Sequence, residues 1–267
     1  MNPLTVPASG HVHVEINVAV ADIRVSESRD TVALHITGER DPDDVIVDTS
    51  TDADGTVRLT VSEKRRRGVV WGRRRGLTIE LATPPSTSLS VDGAATDVRS
   101  VGTLSEVRFT TAAGDARLDH VVGNAHVKGA TGQVRANTVD GALYVQLVSG
   151  DVSVGRAGAG AELRTASGEI SFGVLLGESS VSTASGDVRI SSAGAGTLSV
   201  QVLSGDVSIG VAPGVSSALD VSTLSGKTTS DLPVTSAPAQ PDSPRLDLTV
   251  NTVSGDVRIH RAAKEAA

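Results

Sequence analysis

The chain has 267 residues, a net charge of −7 and no cysteine, which excludes disulfides and thiolate metal sites. Its four aromatic side chains, Trp71, Phe109, Tyr144 and Phe172, are too few for a ring-rich globular core and favour a narrow core of Val, Ile, Leu and Ala. The charge is uneven: Lys64, Arg65, Arg66, Arg67, Arg73, Arg74 and Arg75 place seven cations within twelve residues, while the other 17 Lys and Arg face all 31 Asp and Glu, leaving −14 on the rest of the chain.

Met1 to Pro7 hold no basic run and no apolar stretch of signal-peptide length. Nor does the chain contain the run of about 20 apolar residues that a spanning helix needs. These features read as a cytoplasmic protein, with a surface location left open. His11 to Val18 alternates apolar and polar residues and reads as a strand, as do Thr31 to Thr37 and Val57 to Val61. Asp52-Ala53-Asp54-Gly55 is a hairpin-type turn between them. Residues 1–90 therefore read as a β-rich leader that starts and caps the repeats that follow, since an open sheet end exposes unpaired backbone. His11 and His13 share a strand face, but no third metal ligand accompanies them, so they read as exposed strand histidines.

Within the leader, two arginine triplets flank Val69, Val70 and Trp71, with Gly68, Gly72 and Gly76 as hinges. Guanidinium forks suit phosphate and carboxylate, and an indole stacks on bases or settles at a membrane interface. Two readings stand. In one, Lys64, Arg65, Arg66, Arg67, Trp71, Arg73, Arg74 and Arg75 bind nucleic acid, another acidic polymer or a membrane surface. In the other, the segment is a solvated hairpin loop whose charge offsets the acidic body.

From about residue 91 a repeat takes over. Gly114, Gly132, Gly150, Gly168 and Gly186 recur every eighteen residues; Gly205, Gly226 and Gly255 follow at 19, 21 and 29. The fullest copies read Ser-Gly-Asp-Val-x-aliphatic, as in Ser149 to Val154, Ser185 to Ile190, Ser204 to Ile209 and Ser254 to Ile259. Fixed-period self-similarity marks a repeat architecture. Eighteen residues accommodate two short strands and two tight turns, and such strands pair best with their equivalents one coil away. The expected fold is all-β: a right-handed parallel β-solenoid of about nine coils over residues 91–260, with two strands per coil. Four prolines between Pro233 and Pro244 mark an exposed loop, and residues 261–267 form a tail with helical periodicity.

The Ser-Gly-Asp corner has a turn explanation, because Gly takes positive φ freely and Ser and Asp bond their own turn backbone. A column of carboxylates could also collect calcium, at Asp151, Asp187 and Asp206, but the calcium-binding nonapeptide pattern needs more glycines per coil. The turn reading is preferred, and no cofactor or metal is expected.

The Ser-Gly-Asp-Val strands, with the approach segment Leu77 to Val91, resemble the bacterial β-strand-repeat family catalogued as domain of unknown function 4097 and often labelled "putative adhesin". The resemblance implies a right-handed parallel β-solenoid and a surface-interaction role, and it carries no catalytic residues. The residues themselves show no nucleophile elbow with Asp and His partners and no phosphate-binding glycine loop. A polysaccharide-cleaving solenoid is the strongest enzyme alternative, but it needs acid–base carboxylates on a sheet face. Here they sit in turns. The expected function is a non-enzymatic binding or scaffolding solenoid with a protein or anionic-polymer partner. Anion binding through the arginine-rich loop is the alternative, and association through the solenoid ends remains open.

Overall fold

The computed structural model describes residues 4–8, 10–38, 44–64, 76–232 and 244–263, and these divide into two compact units, 1–133 and 134–267. The fold is an all-β parallel solenoid, and no helix among the described residues is long and apolar enough to cross a membrane.

Unit 1 contains β1 (Leu4–Pro7), β2 (Val12–Asn17), β3 (Val20–Glu27), β4 (Thr31–Gly38), β5 (Val45–Thr51), β6 (Val57–Glu63), β7 (Leu77–Thr83), β8 (Thr87–Ser100), β9 (Thr103–Leu104), β10 (Glu106–Ala113), β11 (Ala116–Val121) and β12 (Ala125–Thr131). One ladder runs β6, β2, the first half of β8, β10 and β12, all parallel, with β5 antiparallel on its outer side. The facing ladder runs β7, β3, the second half of β8 and β11, again parallel, with β4 and then β1 antiparallel outside β7. The leader thus builds coils of its own. Residues 12–27 make one coil against β8, and the later segments β6 and β7 lie outside it. Antiparallel strands cover that outer edge, a usual protection for unpaired backbone.

Unit 2 contains β13 (Val134–Val139), β14 (Leu143–Gln146), β15 (Val152–Ala157), β16 (Ala161–Ser167), β17 (Ile170–Leu175), β18 (Ser179–Ser185), β19 (Val188–Ala193), β20 (Gly196–Ser204), β21 (Val207–Val211), β22 (Ser216–Ser225), β23 (Thr228–Ser230), β24 (Arg245–Ser254) and β25 (Val257–Arg261). Coil stacks on coil in chain order through β20 and β21. There the order changes. The last coil of the sequence, β24 with β25, pairs with β20 and β21, and the preceding coil, β22 with β23, lies outside it. Side chains explain this exchange. Val257 and Ile259 continue the buried aliphatic columns, whereas Thr228 and Ser230 are exposed at the same register positions. A terminal repeat has a solvent-facing end that polar residues suit, and Lys227, Thr228 and Ser230 supply them.

Inside each coil, period-two alternation puts Val, Ile and Leu in and polar residues out. Val154, Phe172 and Ile190 stack in register, and all three are buried. Thr183 is also buried, its hydroxyl without a hydrogen-bond partner, and Val202 fills the matching place in the next coil. Thr183→Val should therefore stabilise the chain by about 1 kcal/mol, since it removes an unsatisfied hydroxyl at constant shape. Chemical denaturation of the two proteins checks this.

Candidate binding surface

The Ser-Gly-Asp corner is shaped by two ladders. Gly168, Gly186, Gly205, Gly255 and Gly226 all take positive φ, between 135° and 146°. A Cβ on any of them would fall 2.0–2.3 Å from the carbonyl oxygen of the glycine in the adjoining coil. In unit 1, Gly114 meets Thr96 and Gly132 meets Gly114 in the same way, at 2.0 Å. Only glycine lets the coils approach this closely.

The second ladder belongs to the carboxylates. Oδ1 of Asp97 accepts the amide N–H of Asp115 at 2.7 Å, and Oδ1 of Asp115 accepts that of Gln133 at 2.9 Å. In unit 2, Asp151 serves Glu169, Asp187 serves Asp206, Asp206 serves Asp256 and Asp256 serves Lys227, at 2.8–3.0 Å. Each of these aspartates thus receives the next coil's backbone. Lys227 can replace the acid because it lies on the outermost coil, where the described residues offer no further amide to accept. Among the described residues, no group of three or more His, Asp or Glu is placed to hold a metal ion. Asp206→Ala should destabilise by about 1 kcal/mol and Asp206→Asn by much less, because the amide oxygen keeps the acceptor. Thermal unfolding of both variants separates the hydrogen bond from the charge.

One residue before each Ser-Gly pair of unit 2, a third column runs outward. Val148, Ala166, Ala184, Leu203, Val253 and Leu224 occupy successive coils in that order and all are exposed. The large members are far from buried: Val148 58%, Leu203 58%, Val253 49% and Leu224 83% exposed. At about 4.8 Å per coil the column is roughly 24 Å long. A contiguous apolar ridge is a more informative feature than scattered exposed residues. Its signal in the sequence is a Val, Ala or Leu before every Ser-Gly of these corners.

Arg65, Arg66, Arg67, Trp71, Arg73, Arg74 and Arg75 lie outside the described residues, as do 233–243 of the proline-rich segment and 264–267 of the tail. Lys64 is exposed beside β6, its amide donating to the Asp44 carbonyl at 2.9 Å. His11 and His13 stand edge to face at 4.7 Å, and His11 Nε2 pairs with the Ser88 hydroxyl at 2.9 Å. Two of the open grooves among the described residues lie on outer sheet faces. One, of about 480 Å³ in unit 1, has a floor of Ser26, Ala33 and Ala82 beside Arg24, Glu80 and Arg99. The other, of about 420 Å³ in unit 2, follows Gly155, Gly173 and Ser191 beside Arg189 and His260.

His126 on β12 titrates below its ordinary 6.5, chiefly through burial and then through Arg108 and Lys128. Its folded pKa lies under its unfolded one, so the unfolded chain binds more protons as the solution acidifies past that value, and stability falls. His126→Gln should flatten the loss of melting temperature between about pH 7 and pH 5.

The Ser-Gly-Asp coil has a known counterpart, since the Toastrack DUF4097 sequence model matches residues 11–260. The chain belongs to this family. Toastrack folds are β-solenoids, as the paired coils here are. Among solved structures, one described as a putative adhesin from Parabacteroides distasonis ATCC 8503 aligns at 12% identity with a TM-score of 0.54, covering 96% of each chain. Another described as a putative adhesin, from Bacteroides fragilis NCTC 9343, aligns at 13% identity with a TM-score of 0.36, covering 96% of this chain and 95% of that one. The first likeness shows the shared fold. No curated protein matches the chain.

Proposed function

We propose that this Toastrack solenoid is a non-enzymatic binding module, and that the apolar column at the corner of unit 2 is its contact surface. The observation that carries the reading is the exposure of Val148, Leu203, Val253 and Leu224, which with Ala166 and Ala184 between them form one column along successive coils. Burying such a line against a partner removes apolar surface from water at about 25 cal/mol per Å². The neighbouring carboxylates bond the coil backbone at the corner rather than pairing across a groove, which supports binding over hydrolysis.

A photo-crosslinking side chain placed at Leu203 in the native host tests this. Ser182, on the polar outer face of the same ladder, serves as the control position. The reading expects a discrete cross-linked macromolecule from position 203 and none from 182. Equal labelling at both, or none at either, would refute it.

A further inference from the structure

The ridge carries its own margin of charge. Three residues beyond Leu203 and Val253 lie Asp206 and Asp256, both exposed, and Lys227 holds the same place beyond Leu224 on the outermost coil. Their Oδ1 atoms receive backbone amides, and the described residues pair neither carboxylate with a cation. Further along, Glu169 and Asp187 differ, since Arg189 bridges them. The widest apolar part, Leu203 with Val253 and Leu224 in register beside it, therefore coincides with the two unpaired carboxylates. A complementary partner presents a short apolar group with cations beside it.

The chain itself encodes such a group: Val69, Val70 and Trp71 between two arginine triplets. We propose that the Leu203–Val253–Leu224 ridge and its carboxylates receive the Arg65–Arg75 segment of a second copy of this chain. This rests on the reading of the ridge as a contact surface and names its partner. Complementarity of charge and apolar content favours the match, because guanidinium forks engage carboxylates in two-pronged hydrogen bonds while the tip covers leucine and valine.

The test is sedimentation velocity on the full chain, over a concentration series up to about 100 µM, at low salt and at roughly 0.5 M salt. Three variants accompany the wild type: Leu203→Ser with Val253→Ser and Leu224→Ser; Asp206→Asn with Asp256→Asn; and all six arginines of the segment replaced by Ser. The asparagine pair retains the backbone acceptors, so its fold is preserved, and a melting curve verifies each protein. The wild type should dimerise at low salt and weaken at least about tenfold at high salt. Each variant should lose at least about tenfold in affinity. The ridge variant mixed with the arginine variant should regain partial association, because one supplies the segment and the other the ridge.

A monomeric wild type throughout the series would overturn the proposal, as would a dimer indifferent to all three variants. An arginine variant that loses binding to a heparin or RNA probe, with no self-association in the wild type, would assign the segment to anionic polymers instead. A monomer that still cross-links a different protein from position 203 would refute the self-association alone and leave the binding surface standing.

Discussion

Gly186→Ala should lower the melting temperature by on the order of 10 °C, whereas Gly214→Ala should lower it by only a few degrees. Both glycines take positive φ, 141° and 78°. Backbone strain alone therefore costs both positions about 1–2 kcal/mol. What separates them is space. A Cβ at Gly186 would lie 2.1 Å from the Gly168 carbonyl oxygen and 2.8 Å from its carbon, whereas one at Gly214 meets nothing within 4 Å. The obstacle at Gly186 is backbone belonging to the neighbouring coil, so the coils themselves must separate. That breaks ladder hydrogen bonds on both sides of the corner and brings the total to about 3 kcal/mol or more. Calorimetric melting of the two alanine variants distinguishes close approach from a mere need for positive φ.

Phe172→Ala should cost about 3–5 kcal/mol, and Phe172→Leu less than about 1.5 kcal/mol. Phe172 is 0% exposed, between Val154 and Ile190 in its column. Unit 2 has a core one side chain deep between two ladders, so a deleted ring leaves a cavity that fixed strand spacing prevents from closing. By contrast Leu203→Ala, on the exposed corner of the same unit, should fall within about 0.5 kcal/mol of the parent. Denaturant titration of the three variants gives the comparison directly.

Much of this architecture was legible in the sequence because a solenoid repeats its local rule. Val152, Ile170, Val188 and Val207 face inward at one register position, and a period of eighteen with two alternating runs fixes two strands per coil. The Gly-Asp corner was legible as turn chemistry. Its deeper cause was not, since both the close coil-to-coil approach at the glycines, which leaves no room for a Cβ, and the carboxylate-to-amide bonds involve residues about eighteen apart or more.

The spatial order of the final coils was hidden for a similar reason. Spacings of 21 and 29 announce insertions, yet nothing local says that 245–261 slips beneath 216–230. Lys227, Thr228 and Ser230 were the available clue, as an interior coil would carry an acid and two aliphatics there. The candidate surface escaped for a different reason. Alternation assigns residues to inside or outside, and at the corner the two directions merge, so Leu203, Val253 and Leu224 looked like ordinary strand ends.

The account holds that glycines and carboxylates at the corner serve the fold, while the apolar column beside them serves a partner. A melting curve of the chain carrying Val148→Ser, Leu203→Ser, Val253→Ser and Leu224→Ser tests that division most directly. The account predicts a melting temperature within about 3 °C of the parent, as four exposed substitutions on intact ladders should give. A fall of about 10 °C or more would contradict it, because the column would then belong to the packing of the solenoid.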